Sequence, residues 1–105
     1  MVKNEEFIKI AVSFPEVEES PHFEKRSFRI RKKIFATLNE NENRGCVKLS
    51  ESDQYIFSRN ESGAVLPVPN KWGLQGWTNI ELKSISKRLL KEILKTSYSE
   101  IAKKK

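Results

Sequence analysis

Six cations fall within nine residues near the start of this chain: Lys25, Arg26, Arg29, Arg31, Lys32 and Lys33, with no acid among them. Cations at this density neutralise phosphates, and side chains on alternate strand positions project from one sheet face. Arg44 and Lys48 can extend the group, and Phe35 offers a ring on which a base could stack. A solvated strand face and turn would look the same, because charge runs are common on surfaces.

Trp72 and Trp77 flank Gly73 and Gly76. An exposed indole there could stack on a base or fill a partner's pocket. The alternative is that both rings close the core beneath an irregular loop, with the glycines permitting close approach. Trp77 borders a strand and is expected to be the core ring; Trp72, beside Lys71, is the better contact residue.

Other reactive types are sparse. His22 is the sole histidine, with no cysteine-rich partner for a metal, and is expected to be structural. A hydrolytic set of His22, Ser27 and Glu19 lacks a strained nucleophile turn and an oxyanion-hole motif. Glu16, Glu18 and Glu19 form a small acidic patch, better suited to solvation or to pairing with an arginine than to holding a cation. Cys46 is the only cysteine, so an internal disulfide and a thiolate zinc cage are both excluded, and an inert thiol, in the core or half-exposed, is expected. Phosphate-loop and dinucleotide glycine patterns are absent. No catalytic residue, metal site or cofactor is expected, and the chain does not read as an enzyme.

The elements that must position these groups follow from periodicity. Phe7, Ile8, Ala11 and Phe14 recur at helical spacing and predict a helix from Asn4 that ends before Pro15. From Glu19 to Leu49 the pattern is that of strands. Ser27–Arg31 alternates strictly, and Lys33–Asn39 with Arg44–Leu49 predicts a hairpin closed by Glu40-Asn41-Glu42-Asn43. Pairing Asn39 with Arg44 sets Thr37 opposite Cys46 and Phe35 opposite Lys48. One face would then carry Ile34, Ala36, Leu38, Val47 and Leu49. The other would carry Lys33, Phe35, Arg44, Cys46 and Lys48 beside Arg29 and Arg31. A one-residue slip inverts both sets.

Ser50 and Asp53 predict a capped short helix with Tyr55, Ile56 and Phe57 inward. Residues 60–76 contain Asn60, Gly63, Pro67, Pro69, Gly73 and Gly76, too much punctuation for a long element. Trp77–Leu82 reads as a last strand. Ser86–Ile101 reads as a helix with Leu89, Leu90, Ile93, Leu94, Tyr98 and Ile101 on one stripe and Lys87, Arg88, Lys91 and Lys95 in water; the basic Lys103-Lys104-Lys105 end follows. The order α-β-β-β-α-β-α predicts an α+β fold, an antiparallel sheet with helices on one face.

Length and charge bound the rest. A chain of 105 residues has room for one domain, and 37% hydrophobic residues with six Phe and two Trp supply enough core without disulfides. Residues 1–24 hold two lysines against six glutamates, whereas residues 25–105 hold 18 basic and eight acidic side chains. An anionic partner is expected for the basic part. No stretch approaches the roughly 20 apolar residues of a membrane span, and the acids at Glu5 and Glu6 sit where a signal peptide needs an apolar run. A cytoplasmic location without membrane contact is expected.

Several clusters, in order along the chain, resemble the MmcQ/YjbR-like family of small bacterial domains. They are Phe14-Pro15-Glu16-Val17-Glu18-Glu19, His22-Phe23, Ser27-Phe28-Arg29, Lys33-Ile34-Phe35-Ala36-Thr37-Leu38, Val47-Lys48-Leu49-Ser50 and Trp72-Gly73-Leu74-Gln75-Gly76-Trp77-Thr78. The resemblance spans nearly the whole chain and implies a frataxin-like fold, also compared to a double-wing arrangement, in a family to which DNA binding is commonly ascribed. One departure stands out: where the family usually has a glycine in the turn before the lysine-aromatic strand, this chain has Arg31-Lys32-Lys33.

Taken together, the residues and the resemblance predict a nucleic-acid-binding domain, with DNA ahead of RNA, expected to be a monomer. Its contacts would be Lys25, Arg26, Arg29, Arg31, Lys32, Lys33, Phe35, Arg44, Lys48, Lys71 and Trp72. The rival expectation is an accessory domain that meets a protein or small ligand through the Trp72–Trp77 loop.

Overall fold

The computed structural model describes residues 2–22, 24–59 and 63–103, so Phe23, Asn60 and Lys104-Lys105 lie outside the described residues. The elements are α1 (Asn4–Ala11), β1 (Val17–His22), β2 (Lys25–Ile30), β3 (Lys33–Asn39), β4 (Arg44–Lys48), α2 (Glu51–Ser58), β5 (Val65–Pro67), α3 (Lys71–Leu74), β6 (Trp77–Glu81) and α4 (Lys87–Ala102). All the strands join one antiparallel sheet in the order β1-β2-β3-β4-β6-β5. The expected α+β architecture holds.

The core lies between this sheet and the helices α1 and α4. Phe7 and Ala11 of α1 and Leu90, Ile93 and Leu94 of α4 meet Phe28, Ile30, Ala36, Leu38, Val47 and Ile80 of the sheet, all buried. Each of the larger of these side chains contributes about 1.5–3 kcal/mol relative to exposure. Gly45 is part of this fit, because a Cβ there would stand 2.5 Å from Phe7 Cε2.

Three regions differ from expectation. No separate strand is predicted ahead of Ser27, yet Val17–His22 pairs along the whole of β2. Its sequence lacks apolar alternation because β1 is an edge strand. Pro21 is tolerated where one side of the strand has no ladder to complete, and acids there discourage pairing with other chains. The irregular 60–76 stretch contains the short strand β5 and the single turn α3, held by local backbone bonds rather than by a long apolar pattern. In α2 the cap is as expected, with the Ser50 hydroxyl accepting from the Asp53 N–H, but Tyr55 and Ile56 are exposed and the inward residues are Gln54 and Phe57.

The largest correction concerns β3. The predicted hairpin partners Thr37–Cys46 and Asn39–Arg44 are as observed. Toward β2, however, Phe28 faces Ala36 while Arg29 faces Ile34, so one extra β3 residue, Phe35, is accommodated as a bulge. Beyond it the faces exchange. Phe35 turns into the core against Phe14 and Tyr98, at ring-centroid distances of 6.4 and 5.8 Å, and Ile34 turns away from the helices. Strand pairing between β3 and β4 ends at Ala36–Val47, and the buried Ser97 hydroxyl takes over there. Its single proton is shared between the carbonyls of Phe35 (2.8 Å) and Lys48 (2.7 Å).

The β2–β3 turn is equally specific. Arg31 and Lys32 both adopt left-handed backbone, φ 50° and 72°, in a two-residue hairpin that favours Asn-Gly. Left-handed geometry costs an ordinary side chain about 1–2 kcal/mol per residue. Arg31 Nη1 donates to the Ala102 carbonyl at 3.2 Å, so the strained turn is tied to the C-terminal end of α4.

Candidate nucleic-acid interface

The sheet face opposite α1 and α4 is open and forms a groove of about 590 Å³. Across its floor run Thr37 of β3, Cys46 of β4 and Asn79 of β6, in register with one another. Lys25, Ile34 and Arg44 border it on one side, and Val68, Trp72 and Trp77 on the other. The alternation of β4 explains the split: Gly45 and Val47 are buried in the core, while Arg44, Cys46 and Lys48 face outward.

The end that carries the indoles is held by backbone fit. Asn70 Oδ1 accepts from the Trp72 N–H at 2.8 Å and starts α3. A Cβ on Gly73 would lie 1.9 Å from the Val68 carbonyl oxygen. Gly76 has φ 106°, and a Cβ there would lie 1.8 Å from the Leu49 carbonyl oxygen, so both positions exclude a side chain. Gln54 Nε2 reaches the carbonyls of Gly73 and Trp77 and the Thr78 hydroxyl at 2.9, 3.2 and 3.1 Å, joining α2 to this loop. Trp72 is 51% exposed as a result. Trp77, expected in the core, instead pairs with Lys48 on the outward face and is half-buried in the groove wall. The glycine spacing announced the close approaches; nothing in the local pattern announced Gln54.

The predicted cations divide between the two faces. Lys25 and Arg29 face outward on β2, the latter donating to the Ser27 hydroxyl at 3.3 Å. Arg26 does not join them, because strand alternation sends it to the helix side. There it bonds Glu40 at 2.8 Å and Glu19 at 2.6 Å, and these hydrogen bonds, Glu40 first, raise its pKa further. Arg31 and Lys32 occupy the strained turn, and Lys33 pairs with the core residue Ile30, so the bulge removes it from the outward set. Phe35 is fully buried and offers no stacking surface. Arg44 is outward but bonded to Glu81 at 2.6 Å and to Glu42 at 3.4 Å; the Glu81 hydrogen bond is the main cause of its raised pKa. Lys48 faces outward and Lys71 is exposed on α3 next to Trp72.

The remaining reactive types stay apart. Glu19 lies on the helix side of β1, with its partner Phe28 in the core, whereas Ser27 faces the other way, its hydroxyl donating to the Ser20 carbonyl at 2.8 Å. The two cannot serve one catalytic set. Burial pushes the Cys46 thiol up to about 11, which leaves little thiolate near neutrality. Among the described residues no group of His, Cys, Asp or Glu side chains is arranged to hold a metal ion, and no helix is long and apolar enough to cross a membrane.

Comparison with known proteins agrees with the fold. The YjbR family model matches residues 12–100. The fold is similar to the crystal structure of Deinococcus radiodurans protein DR2400, described as a DUF419 domain, with a TM-score of 0.83 at 19% identity, covering 99% of this chain and 81% of that one. No curated protein matches the sequence.

Proposed function

Since the chain belongs to the YjbR family, with the open, cation-bordered sheet face just described, we propose that it binds nucleic acid through that face, and single strands in preference to duplex. The observation that carries this reading is the half-exposed Trp72 at the rim of the groove, beside Lys71 and across from Lys25. The groove has the size of a small-ligand site, roughly 300–1,000 Å³, and suits an unstacked base better than a double helix. In this reading a base stacks on Trp72, with Trp77 as the groove wall. Lys25, Arg29, Lys48 and Lys71 meet phosphates, while Arg44, Arg26 and Arg31 hold the sheet and its turns.

Anisotropy titrations with labelled single-stranded and duplex DNA and RNA test it. Binding of a single strand should weaken steeply with salt, as expected for about three or four neutralised phosphates. Trp72→Ala should cost about 1–3 kcal/mol of binding, the usual worth of one stacked base. Binding that is absent at low salt, or unchanged in Trp72→Ala and Arg29→Ala, rejects the proposal.

A second reading is favoured by one observation. Leu66, Trp72 and Leu74 are 54, 51 and 79% exposed on the β5–α3 segment, apolar surface of the kind a protein partner covers. Binding through that surface would be nearly insensitive to salt, which separates the two readings.

A further inference from the structure

The helix side carries a second groove, between α1 and α4. It measures about 760 Å³ and is lined by Lys9, Lys87, Lys91 and Lys95 over Ile10 and Phe14. The periodicity of α4 sets three of these lysines four residues apart on one face, so they recur about every 6 Å along the helix. Lys87 is partnered by Glu6 at 3.3 Å. Among the described residues Glu6 is the sole acid in the lining, its pKa lowered chiefly by the Lys3 backbone N–H and then by Lys87. Among the described residues, Lys9, Lys91 and Lys95 make no ion pair. Beneath them Ile10 is 8% exposed, and the Phe14 ring stacks on Tyr98 at 4.9 Å. The Tyr98 hydroxyl donates to the Pro15 carbonyl at 2.8 Å, which fixes the ring on which Phe14 stacks.

We propose that this groove docks an acidic amphipathic helix from a partner protein. Two features select that occupant. The lysine row matches carboxylates spaced four residues apart on a helix, which also recur at about 6 Å. The apolar floor accepts the leucine or phenylalanine anchors by which such helices seat in grooves, whereas a phosphodiester backbone has no group to place there. No aromatic face is presented flat for a base, as Trp72 is on the opposite side of the sheet. The two surfaces face away from each other, so this site is independent of the nucleic-acid reading and could be occupied at the same time.

The test uses a fluorescein-labelled peptide of about 16 residues, long enough to be helical when bound, with glutamates at four-residue spacing beside a leucine stripe. It is titrated into the full chain, and amide shifts are followed by NMR in parallel. Expected are saturable binding at low salt, shifts centred on Lys9, Ile10, Lys91 and Lys95, and at least about tenfold weaker binding to the Lys91→Glu/Lys95→Glu variant. A peptide with serine in place of the leucines should also lose at least about tenfold, which separates seating in the groove from mere charge attraction. Lys91 and Lys95 are exposed, so the variant should keep the parent's circular dichroism and melting curve; Lys91→Gln/Lys95→Gln repeats the test without charge reversal. The proposal is overturned by absence of binding, by lysine variants that bind as tightly as the parent, by a serine peptide that binds as tightly as the leucine peptide, or by shifts on the sheet face. Labelled single-stranded or duplex DNA that shifts the α1 and α4 amides in place of the peptide would overturn it too.

Discussion

The strands with their turns and the α1–α4 groove use their cations differently. In the strands and turns three arginines are engaged within the fold: Arg26 with Glu19 and Glu40, Arg44 with Glu42 and Glu81, Arg31 with the end of α4. On the α1–α4 side lysines dominate, and only Lys87 of the groove set has a carboxylate partner. A planar guanidinium can bond two acceptors at once and serves as a strap, whereas an ammonium on a flexible stem gains little from a surface pair. A cluster of basic residues in a sequence is therefore a poor measure of charge available to a partner. Arg26 and Arg31 of the Lys25–Lys33 run are tied up within the fold, while among the described residues the less conspicuous Lys91 and Lys95 of α4 make no ion pair.

The widest difference should appear at the loop that presents Trp72. Gly76→Ala combines a left-handed φ with a collision against the Leu49 carbonyl, and we expect a loss above about 3 kcal/mol, read by urea denaturation. Should the variant unfold outright, Gln54→Ala is the milder probe of the same loop, with blue-to-red movement of tryptophan emission as the readout. A Gly76→Ala protein of unchanged stability would mean that the indole end of the outer face is not held by backbone fit.

Next in size is the floor of that face. With the Cys46 thiol raised to about 11, its neutral form is favoured in the folded chain. This contribution is complete below the unfolded-chain value, near 8.5–9, and is lost as pH rises toward 11, with a decline of about 2 kcal/mol. Denaturation curves between pH 8 and 11 should show that slope, and Cys46→Ala, measured alongside, should lack it. An equal slope in both proteins would assign it to other groups and leave the floor of the groove wetter than described.

A smaller effect, of opposite sign, belongs to the turn. Lys32→Gly relieves a left-handed lysine and should stabilise by up to about 1 kcal/mol, raising the melting temperature by a few degrees. Destabilisation instead would show that Lys32 makes a compensating contact. Smallest of all is the direct test of straps against free charges. Arg44→Met should cost up to about 1 kcal/mol, and Lys91→Met should stay within about 0.5 kcal/mol of the parent. Equal effects would erase the contrast between the two sides.

Much was legible in the residues alone. The Asn4 helix, the Lys33–Asn39/Arg44 hairpin with its Asn39–Arg44 and Thr37–Cys46 pairs, the Ser50 cap, the start of the last helix near Ser86 and the apolar stripe of α4 all follow from local signals: period, cap and turn chemistry. So does the resemblance to the YjbR family, which depends on residue order and not on contacts. The edge strand β1 and the short β5 were not legible, because an edge needs little apolar alternation and a three-residue strand carries almost no pattern.

What only the tertiary structure decided is which side each candidate residue serves. A single bulge at Phe35 moved that ring into the core, brought Ile34 out to the groove and took Lys33 from the outward face. Side-chain direction alternates residue by residue, so one extra residue reverses everything beyond it, and the bulge is sustained by Ser97, 62 positions away. Likewise, the engagement of Arg26 and Arg44 depends on Glu40 and Glu81, 14 and 37 residues distant. The count and kind of the charges are properties of the sequence; whether a charge is spent within the fold or left for a partner depends on which distant carboxylate or carbonyl the fold brings beside it.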